Sequence, residues 1–155
     1  MADGRMIFKY TEDQTRVRTL ATADIKPYTA LLDPADARPA YTVTATGNLT
    51  ETVALTDDPQ QVVLGGRVTS ITYEDGSPGR PDNEATLAYD GTVEFDVVST
   101  GTTPAPTSTA NGVAVYIKSD NGLTLASSGN TLYGHVDYPT DFFKRAGRLP
   151  VRVGS

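Results

Sequence analysis

His135 is the chain's single histidine, and Asp137 stands two residues beyond it. On a strand that spacing puts both side chains on one face, where an imidazole and a carboxylate could share a proton. No Gly-x-Ser-x-Gly elbow or other nucleophile motif accompanies them, and a polar outer strand face accounts for the pair. Glu94 and Asp96 repeat the spacing. Paired carboxylates do acid–base work in glycoside hydrolysis at roughly 5–10 Å separation. These two alternate with Val93, Phe95 and Val97, which reads as a strand with an apolar inner face and a solvated outer one. Asp82, Asn83 and Glu84, with Glu74 and Asp75 across a polar stretch, could gather oxygens around Ca²⁺, but the EF-hand spacing is absent. Asn48-Leu49-Thr50 fits the glycosylation sequon; without an export signal it reads as chance. No phosphate loop or dinucleotide fingerprint is present. No catalytic residue, metal or cofactor is assigned.

The densest chemically distinctive set is Tyr133, Tyr138, Phe142 and Phe143 beside Lys144, Arg145 and Arg148. Aromatic rings and guanidinium groups are enriched at binding hot spots. At the other end of the chain, Met6-Ile7-Phe8 form an apolar patch among charged residues, with Tyr10 beyond it. Residues 1–25 read either as a terminus that frays or packs locally or as an extended arm with Ile7, Phe8 and Tyr10 as its anchors, and residues 26–155 as a β domain.

Charge follows the same division. The net charge of −6 argues against nucleic-acid binding. Residues 142–155 nonetheless carry four basic side chains and no acidic one, whereas residues 31–141 carry 15 acidic and four basic. An acidic body with a basic tail suits an acidic partner surface. The chain has no cysteine, which excludes a disulfide framework and a thiolate metal site. No apolar run approaches the length of a membrane span, and no membrane partner is expected. The N-terminus has no signal-peptide pattern, so export is not expected.

The elements that would position these residues are strands. Leu, Ile, Val and Phe make up 33 of 155 residues, close to the level at which a core becomes thin. Threonine is the commonest residue, and Thr, Val and Tyr favour half-buried pleated surfaces. About eight to ten short strands separated by turn signals predict an all-β fold, an antiparallel sandwich or barrel. Asn121-Gly122 predicts a type I′ hairpin turn between Val113–Ile117 and Leu123–Leu125. Asp90-Gly91 predicts a second hairpin, and Gly47-Asn48 a third. Leu132, Gly134, Val136 and Tyr138 are expected on one face of a strand. Residues 100–109, rich in Thr and Pro, read as an extended or flexible loop.

With these residues in view, the chain resembles the small capsid decoration, or cement, proteins of tailed phages. The likeness is carried by the hairpin from Val113 to Leu125, by Gly129-Asn130-Thr131-Leu132-Tyr133-Gly134-His135-Val136-Asp137-Tyr138-Pro139, and by Arg145-Ala146-Gly147-Arg148-Leu149-Pro150-Val151-Arg152-Val153-Gly154. Asp90 to Val97 resembles their mid-chain strand and Leu32 to Ala40 their early turn. The resemblance covers most of residues 25–154. It implies a non-enzymatic virion protein on the outer surface of an icosahedral head, present in the host cytoplasm before assembly. It further implies that the protein bridges capsomers through contacts to the major capsid protein and to itself, as a homotrimer ahead of a dimer. Ile7, Phe8, Tyr10, Phe142, Phe143, Lys144, Arg145 and Arg148 are the expected interface residues. The alternative is a carbohydrate- or receptor-binding β module of a phage tail or spike.

Overall fold

The computed structural model describes residues 4–20, 25–44, 60–64, 67–72 and 84–154. The expected turn at Gly47-Asn48, the Asn48 sequon and all of the acidic loop but Glu84 lie outside them. The strands in chain order are β1 (Gly4–Phe8), β2 (Arg16–Thr19), β3 (Ala30–Leu32), β4 (Pro39–Thr42), β5 (Gln60–Leu64), β6 (Arg67–Thr72), β7 (Glu84–Ala88), β8 (Thr92–Val98), β9 (Ala114–Ile117), β10 (Leu123–Thr124), β11 (Thr131–Val136) and β12 (Arg148–Val153). The fold is all-β, as the short alternating runs predicted.

Five strands close into a barrel in the order β8-β10-β9-β11-β12, since β12 pairs back onto β8. β8 is its seam. It takes β12 antiparallel along one edge, and on the other β1 antiparallel and the short β10 parallel. Such closure removes sheet edges. A second sheet, β2-β7-β4-β3, packs against the barrel. β5 and β6 form a separate antiparallel pair around residues 65–66.

The interior follows period 2. Val93, Phe95 and Val97 of β8 point into the barrel with Val115, Ile117, Leu123, Tyr133, Val136, Leu149, Val151 and Val153. Tyr41 from β4 joins them, while its neighbour Ala40 faces the other way, toward Leu20, Ile25, Leu31, Ala85, Leu87 and Tyr89. A line of rings runs through the contact between the sheets. Tyr10 meets Tyr41 edge-on at 6.3 Å, Tyr41 meets Phe95 at 6.4 Å and Phe95 meets Tyr133 at 5.9 Å. Buried phenols need partners, and backbone carbonyls supply them: the Tyr41 hydroxyl donates to Asp90 O at 2.6 Å and the Tyr133 hydroxyl to Ala40 O at 2.5 Å.

Four local expectations are corrected. Asp90-Gly91 is a corner between sheets, not a hairpin, because β7 belongs to the second sheet and both edges of β8 are taken by other strands. The Asp90 carboxylate accepts from the Thr11 amide and hydroxyl, and Gly91, at φ 98°, lies so close to Phe8 O that a Cβ would sit 2.7 Å from it. The β9–β10 turn is a three-residue loop, not a two-residue one: the Asn121 amide donates to Lys118 O and the Lys118 amide to Gly122 O. Asn121 alone takes the left-handed conformation, at φ 65°, which a short polar side chain tolerates. In β11 a register shift falls between Leu132 and Gly134. The extra residue reverses the alternation, so Leu132 is exposed and Tyr133 is buried. Residues 100–109 are fastened down: Ala105 is fully buried, its amide donates to Val97 O, and its carbonyl accepts from Gly147.

The segment expected as an arm is extended and lies along the body, with β1 on the barrel and β2 on the second sheet.

A Cβ on Gly134 would stand 2.3 Å from Arg152 O, a backbone atom of the paired strand. Gly134→Ala is therefore expected to force β11 from β12 and cost about 1–3 kcal/mol. Urea unfolding checks this; an unchanged midpoint would show that the ladder yields freely there.

Candidate functional site

Glu94 was expected on a solvated strand face. It does lie opposite the barrel interior, but its side chain is only 1% exposed. The correction has a physical cause. Isolating a carboxylate from water is costly unless it is paired and hydrogen-bonded, and three guanidinium groups meet it. Arg5 Nη2 donates to Oε2 at 3.2 Å. Arg145 Nη2 donates to Oε1 at 2.8 Å. Arg148 reaches the same oxygen through Nε at 3.3 Å and Nη2 at 3.2 Å, and Asp96 Oδ1 through Nη1 at 3.0 Å.

Register explains the convergence. Arg5 stands opposite Glu94 across the β1–β8 ladder, and Arg148 stands opposite Asp96 across the β8–β12 ladder. Arg145 arrives from the connection between β11 and β12. Burial pushes the Glu94 carboxyl up, but the hydrogen bonds and charges of Arg5 and Arg148 outweigh it, and the group is held below its ordinary range.

The second sheet repeats the device with Asp33, whose side chain is fully buried. It accepts from Arg18 Nε at 3.0 Å, from the Ala35 amide at 2.8 Å and from the Tyr89 hydroxyl at 2.5 Å. Burial pushes its carboxyl up, and these partners bring it below the ordinary value. Burial and the Asp33 bond push the Tyr89 phenol up to about 12. The Arg38 guanidinium covers the Tyr89 ring, 3.8 Å from its centroid. Arg5 and Arg18, both on the N-terminal segment, thus each reach a buried carboxylate, one per sheet.

Beside the Glu94 cluster lies a cleft of about 420 Å³. Arg5, Met6 and Ile7 of β1 form one wall, and residues 139–143 form the other. The chain ends, 130 residues apart, therefore meet on one face. Phe143 is 78% exposed, the most of the large apolar side chains described. Phe142 is half-buried against Tyr138, with ring centroids 5.6 Å apart, and Lys144 Nζ lies 4.4 Å above the Tyr138 ring.

Of the expected interface residues, Ile7, Phe142 and Phe143 line this cleft. Arg145 and Arg148 hold Glu94 beside it. Phe8, at the end of β1, is 53% exposed. Tyr10 is half-buried, packed on the core through Tyr41. Tyr133 belongs to the barrel interior, away from the set with which its spacing grouped it. Arg5 and Glu94 were missed, and Met6, though part of the apolar patch, was not taken as an interface residue. The one sequence signal for Arg5 was its place beside the apolar patch; nothing local marked Glu94 as buried. His135 and Asp137 are both half-buried. No group of three or more metal-ligating side chains gathers among the described residues.

Comparison with known proteins finds no matching family model, curated protein or solved structure.

The pH dependence of stability follows from the two carboxylates. Both have lower pKa values folded than unfolded, so on acidification the unfolded chain takes up the protons first. Their contribution is complete above the unfolded carboxylate range, about pH 4–4.5, and is lost as pH falls through the lower folded values. Urea midpoints should therefore fall steadily from pH 5 to pH 2.5. Glu94→Gln should unfold more easily at pH 7, by roughly 2–4 kcal/mol, and lose less on acidification than the parent. Parallel pH profiles for the two proteins would refute the assignment.

Proposed function

We propose that this protein is a non-enzymatic decoration protein of an icosahedral phage head, binding the outer surface of the shell and bridging capsomers. The observation that carries the proposal is the face where the chain ends converge. Six of the eight interface residues expected from the sequence lie in or beside one cleft, or on the carboxylate next to it: Ile7, Phe142, Phe143, Lys144, Arg145 and Arg148. The cleft sets Met6, Ile7, Phe142 and Phe143 beside Arg5, Thr140 and Asp141, with Arg145 and Arg148 next to it, and aromatic and arginine side chains are enriched at binding hot spots. The likeness of most of residues 25–154 to decoration proteins supports the same reading, as does a fold in which the Glu94 and Asp33 carboxylates and the Tyr41, Tyr89 and Tyr133 hydroxyls are engaged in holding it together.

The partner is the major capsid protein, with self-association as a homotrimer multiplying individually modest contacts across a symmetric shell. The virion exterior is the corresponding location. Removing residues 1–20 is the wrong test, because it would strip β1 from β8 and β2 from β7. Co-sedimentation of the intact protein with undecorated shells assembled from the major capsid protein of the same phage is the direct measurement. Saturable binding at a fixed copy number per shell is expected, together with a higher shell-disruption temperature. Failure to bind shells, alongside binding on a glycan array, would replace this reading with the carbohydrate-binding one.

A further inference from the structure

The Glu94 cluster and the adjoining cleft share Arg5, and together they specify a ligand more narrowly than either does alone. Glu94 is saturated by its arginines, yet the Arg5 side chain is 65% exposed and that of Arg145 is 51% exposed. Each guanidinium has five N–H donors in a planar fork. Each spends one Nη on Glu94 and presents the rest of its fork to solvent. Arg5, Arg145, Arg148 and Lys144 carry four positive charges against the three negative charges of Glu94, Asp96 and Asp141, the last in the wall of the cleft itself. One unbalanced positive charge beside Phe143 favours an anion over a cation there.

The kind of anion follows from the rest of the chain. A polyphosphate backbone would extend its charge across a protein whose net charge is −6 and be repelled beyond the cluster. A single carboxylate meets only the local field, and its two oxygens match the guanidinium fork. Met6, Ile7 and Phe142 give the cleft an apolar part beside Thr140 and Asp141, and with Phe143 projecting into solvent they suit apolar side chains next to that carboxylate.

We propose that this face docks a partner segment in which an Asp or Glu is followed or preceded closely by large apolar residues, the carboxylate on Arg5 and Arg145 and the apolar side chains in the cleft. On the decoration reading that segment belongs to the shell, and to that extent the inference rests on it. The chemistry of the site can be tested without a shell.

Random twelve-residue peptides displayed for selection are panned on the full-length protein, and the enriched ones are bound in solution to the parent, Phe143→Ala and Arg145→Gln. Both side chains are more than half exposed, and thermal unfolding of each variant confirms that the fold is retained. Enriched peptides should combine Asp or Glu with Leu, Ile, Phe or Met. Their affinity should fall about tenfold with either substitution, and salt should weaken binding to the parent more than to Arg145→Gln. Amide chemical shifts should move at residues 5–7 and 142–145. Enriched peptides without acidic residues, binding indifferent to both substitutions, no enrichment at all, or shift changes elsewhere would each overturn the proposal. Self-association abolished by Phe143→Ala would also overturn it, by making a second copy the occupant. Peptide binding without shell binding would keep this inference and remove the decoration reading; shell binding without peptide binding would do the reverse.

Discussion

The carboxylate of Glu94 is the point on which the barrel's outer face depends. It lies 1% exposed on the seam strand and is held by guanidinium groups from positions 5, 145 and 148. Burying a charge is unfavourable unless the attraction and hydrogen bonds it gains exceed the hydration it loses. That condition is met only when β1, β8 and the approach to β12 are all in place. The ion cluster therefore favours one register: a shift of β1 by one residue would turn Arg5 to the other face of the sheet. Asp33, Arg18 and Tyr89 impose the same kind of condition on the second sheet. A chain with few large aliphatic residues thus obtains specificity from buried polar groups that can be satisfied in a single arrangement.

Aromatic residues supply what the aliphatic ones do not. Tyr41, Phe95 and Tyr133 form a continuous edge-to-face line from the second sheet into the barrel. Two of the three carry hydroxyls that end on carbonyls of other elements, Asp90 and Ala40. The ring buries apolar area while the hydroxyl fixes direction, so these residues act as both core and staple. Tyr10 extends the line to the N-terminal segment. That segment is consequently tied to the body in three ways: by ladder pairing, by ion pairs and by ring packing.

The same residues that close the fold also line the cleft beside Glu94. Arg5 and Arg145 each face Glu94 with one nitrogen and solvent with the others, and residues 139–143 both cross toward β1 and wall the cleft. A surface assembled this way is pre-organised, because its cations are already held by a buried counter-charge. A face of this kind fits the proposed role of adding contact area to a larger assembly.

Much of the architecture was legible in the chain. Alternation around Val93, Phe95 and Val97 and in Val113–Ile117 marked strands, and the Asn-Gly pair marked the β9–β10 connection. Alternation reports which residues share a face, because successive side chains on a strand point to opposite sides. It does not report what covers that face. For that reason Glu94 read as solvated, although its spacing was correctly assigned. Asp90-Gly91 read as a hairpin because local turn chemistry says nothing about which strand occupies the neighbouring edge. Leu132 and Tyr133 exchanged places because one inserted residue, invisible in composition, reverses the phase of a strand. By itself the sequence determined the all-β class, the positions of the strands after β1 and β2, and the two charged, aromatic ends of the chain. Only the tertiary structure decided that β8 is the seam, that both ends meet upon it, and that a carboxylate lies buried between them. Those outcomes depend on contacts between residues some 50 to 140 positions apart, for which neither periodicity nor propensity carries any signal.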